Sequence, residues 1–490
     1  MIPGVISTGL ESWGTDESSR QYFRKRLWGS WSMMRALVLD KASWKRHIVL
    51  DKDTGLDPPG VKLRAAQGFD AADFFITGYW IWNKILENLA SIGYDPSNAF
   101  TAAYDWRLSY ANLEHRDHYF SRLRAHIELA HKTAGEKTVL ISHSMGSQVL
   151  FYFLHWIEAH SGQGWVDEHV QAWINISGSM LGALKGLPAL LSGEMKDTAQ
   201  LNPFAVYGLE KFLGKDERRS IFRTLPGASS LLPMGGNLIW GNATSAPDDR
   251  TGQVLTYGKF LTFQDRNFTD PSLKNMTVDE SLDYLLNTAE AWYARMMREN
   301  YSRGVARTTS EVELNEHLPS KWVNPLESRL PLAPNLKIYC FYGVHKPTER
   351  AFVYREDNDP LSAVNITIDT SLTKGEIDHG VVLGEGDGTV PLLSSGYMCA
   401  KGWKLKRFNP AGVQVKVHEM PHEPDRLNPR GGPNTGDHVD ILGRASLNDL
   451  ILRVAGGKGD QVEESFVSSI REYADKVQIF EEEPLPGGGE

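Results

Sequence analysis

The chain has 490 residues, of which 41% are hydrophobic, 10% aromatic and 23% charged, a balance that excludes fibrous, collagen-like and wholly disordered proteins. Lys and Arg number 52 against 61 Asp and Glu, giving a formal net charge of −9, so the overall charge repels a phosphate backbone and no nucleic acid is expected as a partner. The length admits two or three domains, or one α/β core enlarged by insertions.

In chain order, Met1-Ile2-Pro3-Gly4 carries no signal peptide and reads as the end of a strand whose beginning lies outside the sequence. From about residue 11 to 50, Trp13, Trp28, Trp31 and Trp44 crowd beside Arg20, Arg24, Lys25, Arg26 and Arg35. That mixture suits a bilayer interface with anionic headgroups, and it equally suits core packing with solvated charge. Tyr104-Asp105-Trp106-Arg107 reads as a structural network. Thr138 to Ile141 predicts a buried strand, Met145 to Glu158 a helix and Ala172 to Ile176 a second strand. The longest apolar stretch, Trp173 to Gly193, is broken by Asn175, Lys185 and Pro188 and is not expected to span a membrane.

Between about Ser192 and Leu332 the strand pattern disappears into Gly, Pro, charged and amphipathic segments, which predicts a cap insertion. Its opening part, to about Ile221, reads as a lid: Gly193, Pro203, Gly208 and Gly214 as hinges, with Leu201, Phe204, Val206, Leu209, Phe212 and Leu213 on one apolar face. Strand patterns resume at Lys337 to Tyr342 and Val413 to His418, the latter followed by a helix over Val439 to Val454. Strands alternating with helices predict a mostly parallel sheet with helices on both faces, its core divided into residues 1–191 and 333–456. Residues 457–490 form an extension whose acidic, glycine-ended tail reads as disordered.

The most informative segment is Thr138-Val-Leu-Ile-Ser-His-Ser144-Met-Gly-Ser-Gln-Val-Leu. An apolar strand running into S-x-S-x-G and then a helix is the context of a nucleophile elbow, in which a strained turn lifts the Ser144 hydroxyl above the sheet of an α/β-hydrolase fold. Ser142 replaces the usual first glycine, and Gly146 keeps the second small position. A serine capping a helix would explain Ser144 alone, without the small flanking residues and the buried strand. In this fold an acid and then a histidine follow the serine in the chain. Asp387 sits in Gly384-Glu-Gly-Asp-Gly-Thr-Val-Pro391, which also reads as an ordinary Asp-Gly turn. Three histidines come after it: His418 at a strand end, His422 among prolines, and His438 between a Gly-rich loop and a helix. Position favours His438 as the base. The oxyanion hole needs the Met145 amide and a second amide from an early loop, for which Ile2 to Ser7 is the natural source.

No H-E-x-x-H, paired C-x-x-C, G-x-G-x-x-G or Walker pattern occurs, so acyl transfer without metal or cofactor is expected. Cys340 and Cys399 are too few for a disulfide scaffold and fit two buried free thiols in a cytosolic protein. Six Asn-x-Ser/Thr sequons, at Asn175, Asn242, Asn267, Asn275, Asn300 and Asn365, point instead towards a lumen. Asn175 lies in a predicted core strand and is expected to stay unmodified.

From Ile2 to about Gly456 the chain resembles the phospholipid:diacylglycerol acyltransferases of the broader lecithin:cholesterol acyltransferase family. The resemblance rests on Ile2-Pro-Gly-Val-Ile-Ser7, Thr54-Gly-Leu-Asp-Pro-Pro-Gly60 through Phe69, Gly78-Tyr-Trp-Ile-Trp-Asn-Lys84, Ala103-Tyr-Asp-Trp-Arg-Leu108, His143-Ser-Met-Gly146, Ser192-Gly-Glu-Met-Lys-Asp197, Glu385 through Pro391 and Asp437 through Gly443. It implies an α/β-hydrolase fold, Ser144 as nucleophile, Asp387 and His438 as its acid and base, Val5 and Met145 as oxyanion-hole amides, and a Cys340–Cys399 disulfide. It also implies a domain in the lumen of the endoplasmic reticulum, carried by an N-terminal anchor that this sequence lacks. Phospholipid and diacylglycerol are the implied substrates, met at a membrane surface and exchanging a chain from the sn-2 position. With the same residues, water as acceptor would make a phospholipase or lipase, and a sterol acceptor a sterol acyltransferase. A lipid-binding protein without catalysis fits poorly with Ser, Asp and His intact in that order. Asp437 stands where relatives often carry Glu.

Overall fold

The computed structural model describes residues 1–200, 212–263, 273–360 and 362–479. Near the start, Leu10–Ser12 (β1), Arg26–Trp28 (β2) and Leu63–Ala65 (β3) form a small antiparallel sheet ordered β2-β1-β3, and Phe74–Ile76 (β4) pairs with Tyr79–Trp80 (β5). Two short helices, Trp31–Leu39 (α1) and Lys41–Ile48 (α2), meet at Asp40, which ends the first and caps the second by accepting the Ser43 N–H. The Trp-rich segment divides. Trp44 is buried and donates to the Leu27 carbonyl, and half-buried Trp28 donates to the Val5 carbonyl, while Trp13 and Trp31 are exposed. Arg107, wholly buried, pairs with Asp105 and Asp57 and donates to the carbonyls of His47 and Ile48, tying this segment to the core.

Three helices follow, Asn83–Ser91 (α3), Tyr110–Asp117 (α4) and Tyr119–Ala134 (α5). The remaining strands are Thr138–His143 (β6), Val170–Ile176 (β7), Leu261–Phe263 (β8), Lys337–Val344 (β9), Thr348–Glu356 (β10), Ile366–Ile368 (β11), Ile377–Asp378 (β12), Val381–Gly384 (β13) and Gln414–Pro421 (β14). The core sheet is parallel and ordered β14-β9-β7-β6. Ile2 extends it past β6, donating to the Ile141 carbonyl at 2.7 Å and accepting from His143 N–H at 3.1 Å. Runs such as Val-Leu-Ile and Ala-Trp-Ile suit strands covered on both faces. The helix Met145–Ser161 (α6) covers one face, buried at every residue from Met145 to Ile157. Each large apolar side chain it removes from water is worth about 1.5–3 kcal/mol. A cavity of about 790 Å³ runs along the outer edge of β6 beside Thr138 and Leu140, and Ser144, Asp387 and His438 do not line it.

The structure departs from the sequence reading in three places. The cap region is not free of strands, because β8 lies within it and pairs in parallel with β10. In addition to the mostly parallel sheet expected there is a second sheet, with β10 antiparallel to β11 and β13, and β13 antiparallel to β12. The helix expected over Val439 to Val454 is a 3₁₀ turn, Asp440–Gly443, followed by a helix at Ala445–Ala455. The break has a physical cause: Asp437 Oδ1 accepts the N–H of Val439 and Asp440, closing a turn of its own, and Gly443 packs so tightly on the Trp80 ring that a Cβ there would sit 2.1 Å from it. Of the expected lid, Leu201, Pro203, Phe204, Val206, Gly208 and Leu209 lie outside the described residues, and Lys215–Arg223 is a helix.

Candidate active site

β6 ends at His143, and Ser144 takes φ +57° and ψ −129°, a strained conformation for a residue with a side chain, before α6 begins at Met145. The turn needs close backbone approach. A Cβ on Gly146 would stand 2.4 Å from the Ile2 carbonyl oxygen, and one on Gly4 would stand 2.9 Å from Ser144 Cβ. Ser142 fills the glycine position of the usual motif and uses its hydroxyl, which bonds Ser147 at 2.9 Å and accepts from the Trp173 indole at 2.7 Å. Ser147 in turn donates to Asn175 Oδ1.

Asp387 reaches the same end of the sheet by a detour. β9 stops at Val344, His345 takes φ +67°, and the chain leaves through β10 to β13 before Asp387 pairs in parallel with Lys346. Asp387 is fully buried, and its Oδ1 accepts from the backbone N–H of Thr389 and Val390 at 2.9 and 2.7 Å. Its Oδ2 accepts from His438 Nδ1 at 2.7 Å, and the other ring nitrogen, Nε2, accepts from Ser144 Oγ at 2.8 Å. The acid therefore selects the imidazole tautomer that leaves Nε2 free to take a proton. The N–H of His438 also donates to the Asp387 carbonyl at 2.9 Å.

The structure thus brings together Ser144, Asp387 and His438 and leaves the other two histidines elsewhere. His418 faces the Glu463 carbonyl, and His422 accepts from Gly436 N–H, bracing the loop that carries His438. Val5 lies in the loop beside Ser144, and its N–H has no acceptor among the described residues. Met145 opens α6, where the first N–H groups have no intrahelical partner. Gly4, the neighbour of Val5, is the residue that packs on Ser144. Cys340 on β9 is disulfide-bonded to Cys399 in the helix Leu392–Ala400, so free thiols are not present.

One contact escaped the sequence reading. His143 donates from Nε2 to the His438 carbonyl at 2.7 Å, and burial, then the neighbouring His438, pushes its pKa down to about 3, so the ring is neutral. Its position next to the nucleophile was the only signal, and nothing in the sequence links it to a carbonyl 295 residues away. Among the described residues no cluster of His, Cys, Asp and Glu could hold a metal ion, and no helix is long and apolar enough to cross a membrane.

A parallel sheet with a strained serine after one strand, and an acid and a histidine following in that order, define an α/β-hydrolase with a serine site. The lecithin:cholesterol acyltransferase family profile matches residues 22–445, and the chain belongs to that family. It is 52% identical over 484 residues to the phospholipid:diacylglycerol acyltransferase of Schizosaccharomyces pombe, covering 98% of this chain and 76% of the relative. The Saccharomyces cerevisiae protein of the same name is 49% identical over 490 residues, covering 97% and 73%. Phospholipid:diacylglycerol acyltransferase 1 of Arabidopsis thaliana is 34% identical over 562 residues, covering 98% and 83%.

Proposed function

We propose that this chain transfers a fatty acyl group from the sn-2 position of a phospholipid to diacylglycerol through an acyl-enzyme on Ser144. The observation that carries the reading is the identity, over nearly the whole chain, to relatives named for that reaction. The contacts of 2.8 and 2.7 Å along Ser144, His438 and Asp387 support the residue roles. Ser144 Oγ attacks the ester carbonyl while His438 Nε2 takes its proton, and the tetrahedral oxyanion is stabilised by the N–H groups of Val5 and Met145. Collapse breaks the ester C–O bond, and His438 returns the proton to the departing lysophospholipid oxygen. Diacylglycerol then gives its hydroxyl proton to His438 and attacks the acyl carbonyl, releasing triacylglycerol and restoring Ser144.

The substrates are met at a membrane surface. Along α1 the side chains of Trp31, Met34, Val38 and Leu39 are 60%, 41%, 62% and 71% exposed, with Arg20, Arg24, Lys25 and Arg35 exposed nearby, a face suited to an anionic bilayer. The domain sits in the lumen of the endoplasmic reticulum, supported by the disulfide and by exposed sequons at Asn242, Asn275 and Asn365. Labelled phospholipid should yield labelled triacylglycerol only when diacylglycerol is supplied, and Ser144→Ala should abolish it. Free fatty acid as the sole product, unchanged by diacylglycerol, would replace transfer with hydrolysis. Glycosidase should lower the mass of material made in its native compartment, and an unchanged mass would count against the lumen.

A further inference from the structure

Lys346 holds the acid loop with its backbone and the base loop with its side chain. It follows the strained turn at His345, and its N–H donates to the Gly386 carbonyl at 3.0 Å. Its carbonyl accepts from Thr348 Oγ1 at 2.8 Å, and that hydroxyl accepts from Gly388 N–H at 2.8 Å. Gly388, at φ +90°, leaves room for the lysine methylenes, since a Cβ there would lie 2.8 Å from Lys346 Cδ. The acid loop from Gly386 to Gly388 is therefore moulded on Lys346.

The side chain crosses to the other loop, where its ammonium is ion-paired with Asp437 Oδ2. Asp437 directly precedes His438, and its second oxygen accepts the N–H of Val439 and Asp440 at 2.9 and 3.0 Å, fixing the turn that follows the base. Burial opposes ionisation of Asp437, but the Lys346 ammonium and these N–H groups outweigh it and hold its pKa down to about 2. The pair is partly buried, the side chains being 30% and 22% exposed, so its attraction is less screened than that of a surface pair.

We infer that Lys346 is a positioning residue for the transfer reaction: it clamps the loops of Asp387 and His438 together and neutralises Asp437 beside the base. The charged and titratable groups around His438 are Asp387, His143 at the end of β6, and Asp437; against Asp437 stand Lys346, His422, Tyr79 and Asp440, the last paired with Arg430. Without Lys346 the Asp437 carboxylate stands uncompensated next to the imidazole and favours its protonated form. Loss of the clamp also loosens the Ser144 to His438 geometry, on which the rate depends steeply.

Resting on the Ser144 transferase reading, the inference is tested with Lys346→Met, Lys346→Arg, Asp437→Asn and the Lys346→Met/Asp437→Asn double variant, with Ser144→Ala run alongside. Lys346→Met should lower kcat about tenfold with KM within about twofold, and should move the acidic limb of the pH profile to higher pH. Lys346→Arg should regain most of the rate. The double variant should bring the limb back without restoring full kcat. Wild-type kcat in Lys346→Met, or a loss that leaves the limb in place and that Arg does not rescue, would overturn the assignment. Should Lys346→Met fail to fold, Asp437→Asn alone decides: the limb should move to lower pH, and an unmoved limb refutes the role. An active Ser144→Ala would instead remove the acyl-enzyme reading itself.

Discussion

Replacing Gly146 by Ala separates the machinery from the helix that carries it. Gly146 is the second residue of α6, so the preference for Ala over Gly in a helix interior, about 1 kcal/mol, is an upper bound on what propensity can add there. At this position the new methyl would lie 2.4 Å from the Ile2 carbonyl oxygen and 2.5 Å from that of Pro3, where ordinary contacts begin at 3.4 Å. Both neighbours are backbone, so the segment Ile2–Gly4 must withdraw by about 1 Å, which breaks the 3.1 Å bond from His143 N–H to the Ile2 carbonyl. Overpacking of this kind costs about 1–3 kcal/mol and outweighs the propensity gain. The same movement displaces Val5, whose amide is proposed as an oxyanion donor, and loss of one such donor costs about 10²–10³ in kcat. Gly146→Ala should therefore lose that factor in acyl transfer to diacylglycerol while denaturant unfolding shows a loss of no more than about 3 kcal/mol. A variant with kcat within about twofold of wild type, whatever its stability, would refute the placement of Val5 in the oxyanion hole.

Asp387→Asn should keep the fold and lower turnover by about 10³–10⁴, because the amide can no longer select the tautomer in which His438 Nε2 accepts from Ser144; a loss below tenfold would contradict that role. Replacing both Cys340 and Cys399 by Ser should cost about 4 kcal/mol in urea unfolding, as expected for opening a loop of 59 residues, and a cost under about 1 kcal/mol would show that the bond does not restrain the unfolded chain. Trp31→Ser with Val38→Ser should weaken binding to anionic vesicles by at least about tenfold and leave hydrolysis of a soluble ester unchanged; equal binding would remove the α1 face from the membrane contact. His155 is buried beside Trp322, with Nε2 unpartnered among the described residues, and burial, then Arg329, pushes its pKa down to about 3. The folded ring stays neutral while the unfolded one protonates near 6.5, so stability falls as pH drops from about 6.5 towards 3, by about 2 kcal/mol at pH 5. His155→Phe should flatten that part of the stability profile, and an unchanged slope would reject the cause.

The nucleophile turn was legible because each of its demands leaves a mark in the sequence: a strand buried on both faces, small residues around Ser144 and an apolar helix after it. Asp387 and His438 were legible through their order along the chain. The second sheet was not, since β8, β11 and β12 have three, three and two residues, too few for an alternation to register. The tryptophans show the same limit. Trp31 and Trp44 lie 13 residues apart in similar company, yet only Trp44 finds a carbonyl, that of Leu27, and is buried. Pairings of that kind, like His143 with the His438 carbonyl, depend on how distant segments meet.

The two halves of the site are held by different forces. Strain at a positive φ such as that of Ser144 costs about 1–3 kcal/mol and persists only where the surroundings over-determine it. Here Ser144 N–H donates to the Ile176 carbonyl at 3.1 Å, Gly146 sits against two backbone carbonyls, and Ser142, Ser147 and Asn175 are chained beneath the turn. All of this is buried in the sheet, so disturbing it costs folding and catalysis together. The acid and base stand on loops held by a few hydrogen bonds and by the partly exposed Lys346–Asp437 pair. Such contacts contribute little to global stability, and their loss is felt first in the distance between His438 and Ser144. Substitutions in the elbow should therefore lower yield and rate in step, whereas those at the loop contacts should lower rate in protein that folds normally.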